Sequence, residues 1–436
     1  MSHLRRSHFC GSPMHALDRR GFLGLAAGAA AFAADMTQLN VLQHPLLAGE
    51  MKKQQKRCIL LWLAGGASQL ETWDPKPGAP TGGPFRAIPT SVPGIHISEL
   101  MPEMAKRMKH TCIVRSLNTR NGDHGGAAQL MMRGRRDEAN LKYPDLGAVL
   151  ARELGQADSQ VPDYVSFYFA TEGRGSAPGS AGFLGSRYAP MELYTSMIPE
   201  NIRRLDGIDD LDHKRRGELR ESLSKQFAKG RASSSLGSHG EAYQRVRGLM
   251  ASEKLFDVSR EPQKIREKYG PTLFGEQALA ARRLIEAGVP FVRVGRAWWD
   301  SHGENFETHR ELVPELDHVM SALLDDLEQR GLLEHTLVIT LSEFGRTPGI
   351  NASLGRDHFA SAWSATLSGC GIQGGSVYGK TDAKGERVAD GEVGAAELFA
   401  TIYRALGINH QKNYHVGSRP VPLTEPGTKP IKALLA

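Results

Sequence analysis

Thr336-Leu-Val-Ile-Thr-Leu341, continued by Ser342-Glu-Phe-Gly-Arg-Thr-Pro348 and closing on Gly355-Arg-Asp-His358, is the stretch that decides the fold. Its first six residues are apolar or β-branched without a polar face, the composition of a strand buried on both sides in a parallel sheet. Such a strand predicts that Glu343, Arg346, Arg356, Asp357 and His358 lie at one end of the sheet, where open α/β folds place their ligands. Four of these five side chains carry a formal charge, so water, a metal or an anion must satisfy them.

Working outward, the same grammar recurs. Arg57-Cys-Ile-Leu-Leu-Trp-Leu-Ala64 reads as a buried strand that runs into the turn Gly65-Gly66-Ala67-Ser68. Thr111-Cys-Ile-Val-Arg-Ser-Leu117 leads through Asn118-Thr-Arg-Asn-Gly-Asp-His-Gly-Gly126 into a helix from about Ala127. Strands are also predicted over Asp163–Phe169, over Pro290–Gly295 ahead of Ala297-Trp-Trp-Asp-Ser-His-Gly-Glu-Asn305, and around Ala365–Ser368. Helices are predicted from a Ser98 cap to about Lys109, over 144–154, over Phe274–Ala287 and over about Ala395–Leu406. The three-and-four spacing of Val313, Leu316, Val319, Met320, Leu323, Leu324 and Leu327 marks another, stopped by Gly331. Strand, loop and helix in alternation predict an α/β fold.

The 436 residues are 40% hydrophobic and 23% charged, which fits a globular protein with ample chain to bury a core. Half of the formal charge of +6 resides in Arg5, Arg6, Arg19 and Arg20 set against Asp18. The remainder is close to neutral and has no basic stripe interleaved with aromatics, so no nucleic-acid partner is expected. Residues 1–34, with Asp18-Arg-Arg-Gly-Phe-Leu-Gly24 ahead of an Ala-rich apolar run, match a twin-arginine export signal. A retained anchor, or a start at Met14, is the alternative. Export by the twin-arginine route implies a periplasmic or extracellular mature protein. Residues 35–56 read as a leader, and 57–425 as the domain, carrying a charged helical insertion at about 209–260 whose acids and bases are interspersed. No later run approaches eighteen apolar residues, so no membrane span is expected in the mature chain. Cys58, Cys112 and Cys370 are odd in number and lack metal-like spacing; buried free thiols are expected.

Three loops after predicted strands carry acid and imidazole together: Asp123-His124, Asp300-Ser-His302, and Glu343 with Asp357-His358. Carboxylates and neutral imidazoles suit a divalent metal such as zinc, manganese, iron or calcium, and such ions stabilise displacement at phosphorus or sulfur. Each pair also has an ordinary reading. Asp123 fits a helix cap, Asp300 and His302 a satisfied polar pair at a strand end, and Glu343 an ion pair with Arg346. Arg120, Arg346 and Arg356 could grip an anion or serve as ion-pair partners. Thr119, after the second strand, is the first choice of nucleophile, ahead of Ser116 and Ser68. There is no G-x-S-x-G elbow, P-loop or dinucleotide fingerprint after a strand.

Taken together, Leu61-Trp-Leu-Ala-Gly-Gly-Ala-Ser-Gln-Leu-Glu-Thr-Trp-Asp-Pro-Lys-Pro77, Pro93-Gly-Ile-His-Ile-Ser-Glu99, Arg115-Ser-Leu117 with Asp123-His124, Trp299-Asp-Ser-His-Gly-Glu-Asn-Phe306, Glu343-Phe-Gly-Arg-Thr-Pro348 and Gly355-Arg-Asp-His358 resemble the exported bacterial family called domain of unknown function 1501. That family resembles the alkaline-phosphatase and sulfatase superfamily. The resemblance implies a mixed, mostly parallel sheet between helical layers, and a metal site built from an Asp after the first strand, a hydroxyl or modified Cys after the second, two Asp-His pairs and a final His. Asp300 and His302 resemble the first pair, and His358 resembles the final imidazole. Gly65-Gly66 stands where the first acid is expected, with Glu71 and Asp74 the nearest substitutes, and Glu343-Phe344 replaces the second pair. One metal, a rearranged pair or none are the readings left open. The expected function is a metal-dependent hydrolase of sulfate or phosphate esters, acting on a small anionic ester or a sulfated or phosphorylated glycan. The alternative is a binding or assembly protein on the same fold.

Overall fold

The first strand, β1 (Arg57–Leu63), is buried along its whole length, and its side chains alternate between two separate cores. Ile59, Leu61 and Leu63 enter one, while Cys58, Leu60 and Trp62 enter the other, so an unbroken apolar run is what a strand covered on both faces requires. The structure, a computed structural model, describes residues 55–156, 159, 161–167, 178–194, 197–199, 207–229, 250 and 253–436. The expected export signal and nearly all of the leader lie outside the described residues.

Among the described residues the main sheet adds β2 (Thr111–Leu117), β3 (Tyr164–Phe167), β4 (Met191–Leu193), β5 (Phe291–Arg296), β6 (Thr336–Leu341), β7 (Trp363–Gly369) and β8 (Ser376–Tyr378). Their order is β8-β2-β7-β6-β1-β5-β3-β4. β1 pairs in parallel with β5 and β6, β5 with β3, β3 with β4, and β2 with β8. Only β7 runs the other way, antiparallel to both β6 and β2. The carboxyl ends of β1, β2, β5 and β6 therefore meet at one edge of the sheet, and β7 enters the sheet from that same edge. This is the mixed, mostly parallel α/β sheet that the sequence implied.

The helices described along their full length are α1 (Pro102–Lys106), α2 (His124–Arg133), α3 (Leu146–Leu154), α4 (Asp210–Ala228), α5 (Gln263–Tyr269), α6 (Leu273–Ala287), α7 (Asn305–Gln329) and α8 (Ala395–Ala405). Side chains of α1, α6 and α7 fill the core on one face, and those of α2, α3 and α8 fill it on the other, giving the two helical layers. Asp123 caps α2, Thr272 caps α6, and both helices end on left-handed glycines, Gly134 and Gly288.

The predicted helix from Ser98 is replaced by a different local structure. His96–Ser98 forms a short ribbon with Ala87–Pro89, and α1 begins only at Pro102. Tertiary contacts override the local cap signal here: the Ser98 backbone donates to Thr72 O at 2.9 Å, and Asp317 of α7 accepts from the N–H groups of Glu103 and Met104 at 3.0 and 2.6 Å. Within the charged stretch 209–260, α4 is exposed along much of its length, while 230–249 and 251–252 lie outside the described residues. The chain beyond 425 closes against the sheet periphery, where Ile372 bridges to Leu435. Cys58, Cys112 and Cys370 are buried free thiols. Among the described residues no helix is long and apolar enough to cross a membrane.

Candidate metal centre

The turn after β1 decides what can stand beside it. Gly65 and Gly66 have φ of +114° and +91°. A Cβ at Gly65 would lie 2.4 Å from the Asp300 backbone nitrogen, and one at Gly66 would lie 2.8 Å from the Phe344 ring. The resemblance placed an acid here, and packing against Trp299-Asp300 and Phe344 leaves no room for one. The substitutes are held elsewhere. Glu71 takes both its oxygens to Arg356, and Asp74 pairs with Lys76 at 2.8 Å and accepts from Thr381.

Asp300 and His302 follow β5, His124 opens α2 after the β2 loop, and His358 precedes β7, so all four arrive at the shared sheet edge. The ligand atoms of His124, Asp300 and His358 lie within 4.8 Å of one another. Asp300 Oδ2 is 3.3 Å from His124 Nε2, and Asp300 Oδ1 is 3.3 Å from His358 Nε2 and 3.2 Å from His302 Nε2. The Nε2 atoms of His302 and His358 approach to 2.9 Å. Burial works against ionisation of Asp300, but His124, His358 and Arg346 outweigh it and hold its carboxyl well below the usual range. Burial likewise opposes protonation of His124, yet Asp300 and Glu343 outweigh that and push it up to about 9. Phe344 cannot coordinate an ion; its ring floors the cluster instead. It lies 4.3 Å from the His358 ring and 4.9 Å from the His124 ring, packed with Ala127 and Ala360.

Several expected site residues stand around this cluster rather than in it. Glu343 is fully buried behind His124: its Oε1 accepts from Gly65 N at 2.8 Å and meets His124 Nδ1 at 2.9 Å. Burial raises its pKa, and its Oε2 has no hydrogen-bond partner among the described residues. Asp357 is exposed and orients His302 through a 2.8 Å contact to Nδ1. Asp123 caps α2 through Gly126 N at 2.8 Å, the ordinary reading of that residue.

The arginines divide in the same way. Arg356 is fully enclosed, with Glu71 at 2.8 and 3.1 Å and the carbonyls of Thr81, Thr347 and Pro348 around it, so its donors are spent on the fold. Arg346 is also enclosed, donating to Gly66 O at 2.9 Å, to Gly65 O, to Arg356 O at 3.1 Å and to Asp300 at 2.6 Å. Neither offers a guanidinium to an incoming anion. Arg120 is exposed, in a left-handed conformation with φ of 53°, 3.2 Å from Glu392.

Thr119 is 6% exposed, and its hydroxyl has no partner among the described residues, while its N–H donates to Ala360 O at 2.9 Å. Ser116 Oγ is spent on Gly391 O; Ser68 Oγ is buried without a partner among the described residues. His309 was absent from the sequence-derived site. It lies on the apolar stripe of α7, four residues before Val313, and that misfit was the signal available. Its Nδ1–H donates to Asn305 O at 2.8 Å, its Nε2 accepts from Ser68 N at 3.0 Å, and burial lowers its pKa to about 4.

No curated protein matches the sequence. Solved structures that resemble it include PsFucS1 sulfatase from Pseudoalteromonas sp., at 13% identity and TM-score 0.38, covering 83% of this chain and 69% of that one. The phosphonate monoester hydrolase of Agrobacterium radiobacter aligns at 14% identity and TM-score 0.35 over 86% of this chain and 78% of its own. Murine ectonucleotide pyrophosphatase/phosphodiesterase 5 aligns at 10% identity and TM-score 0.36 over 81% of this chain and 96% of its own. Residues 55–435 match the family described as "Protein of unknown function (DUF1501)", and the chain belongs to that family.

Proposed function

We propose that this protein is an exported, metal-dependent hydrolase of anionic esters, acting on a sulfate or phosphate ester, free or carried on a glycan. The observation that supports the reading is the convergence of His124, Asp300 and His358, with ligand atoms within 4.8 Å, at the carboxyl edge of a mostly parallel sheet. His302 stands within 3.2 Å of Asp300, and His124 Nε2 faces the same carboxylate at 3.3 Å. The two imidazoles of His124 and His358 with the Asp300 carboxylate suit zinc, manganese or iron; calcium prefers an all-oxygen shell. A divalent ion held there supplies Lewis-acid stabilisation of a developing oxyanion.

The chain's own groups take the remaining roles. The unpartnered hydroxyl of Thr119 is the nucleophile in this reading, carried on the loop that also gives Gly122 O to His358 Nδ1 at 2.8 Å. His302, its side chain 45% exposed and held by Asp357, is placed to give a proton to a leaving oxygen. Arg120 is the exposed cation that meets the ester's charge. Export rests on Arg19-Arg20 and the Ala-rich run to Ala34. A second reading, a binding protein on the same fold, is favoured by Gly65-Gly66 and Phe344 in place of expected ligands.

Elemental analysis and chelation separate the two. A hydrolase carries zinc, manganese or iron in stoichiometric amount and loses thermal stability on chelation. Protein without metal, melting identically with and without chelator, sinks the hydrolase reading. With metal present, aryl sulfate and aryl phosphate assays of wild type against His302→Ala assign the reaction. Export is tested by the mass of protein recovered outside the cytoplasm, which begins after about Ala34.

A further inference from the structure

Glu343 is the most enclosed acid beside the cluster, and two other residues, Gly65 and His124, meet its carboxyl there. The Gly65 N–H donates to Oε1 at 2.8 Å, and His124 Nδ1 meets the same oxygen at 2.9 Å. Its side chain is fully buried, and Oε2 has no partner among the described residues. The Gly65 backbone is packed against the Trp299-Asp300 backbone, where an added Cβ would lie 2.4 Å from Asp300 N. Oε1 accepts from the Gly65 N–H, and when Glu343 is ionised both of its oxygens can only accept, so the hydrogen in its contact with the imidazole then belongs on Nδ1. The other imidazole nitrogen, Nε2, is the one that faces Asp300 Oδ2 at 3.3 Å. Phe344, next in the chain, packs 4.9 Å from the same ring and leaves it no alternative orientation on that side.

We propose that Glu343 is the positioning residue of the centre: it keeps the hydrogen of His124 on Nδ1 and thereby presents Nε2 as the coordinating atom, without itself binding the ion. The inference rests on the metal reading above, and it reassigns the residue that stands where relatives of this fold are expected to carry a direct ligand. A carboxylate behind a metal-bound histidine fixes ring orientation and raises ligand basicity, and losing one costs about 10–100-fold in metal affinity.

The test uses the full chain with ¹⁵N-labelled histidine, comparing wild type with Glu343→Gln, Glu343→Leu and His124→Ala, each checked for native circular dichroism. Glu343→Gln keeps an acceptor and removes the charge; Glu343→Leu removes the acceptor and keeps much of the volume. Wild type should show an exchange-protected Nδ1–H resonance of His124, absent in His124→Ala and in Glu343→Leu. Zinc competition titrations should give unchanged stoichiometry in both Glu343 variants. Affinity should fall about 10-fold in Glu343→Gln and about 100-fold in Glu343→Leu. The proposal is overturned by a wild-type spectrum lacking the protected Nδ1–H, by its survival in Glu343→Leu, or by wild-type affinity in Glu343→Gln. It is also overturned if both Glu343 variants lose the ion outright, as His124→Ala should, because Glu343 would then be a ligand. Wild type that binds no zinc, manganese or iron refutes the hydrolase reading instead, and the metal-free Nδ1–H resonance still decides what Glu343 does. If Glu343→Leu fails to fold, Glu343→Gln decides the affinity.

Discussion

The side chain of Gln69 pairs with both backbone groups of Arg346: its Oε1 accepts from the Arg346 N–H at 3.0 Å, and its Nε2 donates to the Arg346 carbonyl at 2.8 Å. Both residues are buried, so Gln69 stands in for a neighbouring strand and fixes the backbone between Phe344 and Thr347. Gln69→Glu would set a carboxylate against that carbonyl. We expect it to lower stability by about 2 kcal/mol in urea unfolding, from one lost hydrogen bond and one unsatisfied acceptor, and to weaken metal binding through Phe344 and Arg346. Unchanged stability would refute the clamp.

Gly65→Ala should be more damaging than its size suggests. Its φ of +114° is strained for any side chain, and the new Cβ would be 2.4 Å from the Asp300 backbone. A loss of about 2–4 kcal/mol is expected, with metal affinity reduced because Asp300 is the group that must move. Calorimetry and zinc titration of the same sample check both parts.

Glu71 and Arg356 form a fully buried two-bonded ion pair, and Asn305 Nδ2 adds a third bond to Glu71 at 3.0 Å. Removing one partner leaves an uncompensated charge, so Glu71→Ala should cost about 3–5 kcal/mol. Arg356→Lys should recover only part of the wild-type stability, since lysine cannot reproduce the fork across two carboxylate oxygens. Equal melting of Arg356→Lys and wild type would show that geometry is irrelevant there.

Asp317 supplies a pH test. Burial is the largest influence on it and, against two backbone N–H donors, raises its pKa to about 6. The unfolded chain releases this proton near its ordinary value of about 3.9, before the folded protein does. Its contribution is therefore full below about pH 4 and is lost as pH rises through about 6. Stability of wild type relative to Asp317→Asn should fall by on the order of 2 kcal/mol across that window. A flat or rising difference would contradict it.

The sheet was readable because the requirement behind it is local. Arg57–Leu63 and Thr336–Leu341 must be apolar on both faces, and that leaves a mark in the chain itself. His124, Asp300, His302 and His358 were readable as strand-end residues for the same reason. The partners of Glu343 and Arg356 were not, because they depend on register between segments far apart: Glu343 meets a residue 219 positions away, and Arg356 one 285 positions away. Asp123 looked like a ligand through its neighbour His124, but one step along the chain separates a cap from the cluster. The Ser98 helix failed because Asp317, from a distant helix, supplies the cap.

One consequence follows from β7, the strand that opposes its neighbours. Because β6 and β7 are adjacent and antiparallel, everything from Ser342 to Ala362 leaves the sheet and rejoins it next door, as the tip of one long hairpin. Glu343, Phe344, Arg346, Arg356 and His358 therefore reach the site on one excursion of the chain, and Gly65, Glu71, His124 and Asp300 meet them there from other loops. A change of length in this excursion leaves the order of the strands intact, but a change of residue at Glu343, Arg346 or Arg356 must be answered on the loops that hold its partners.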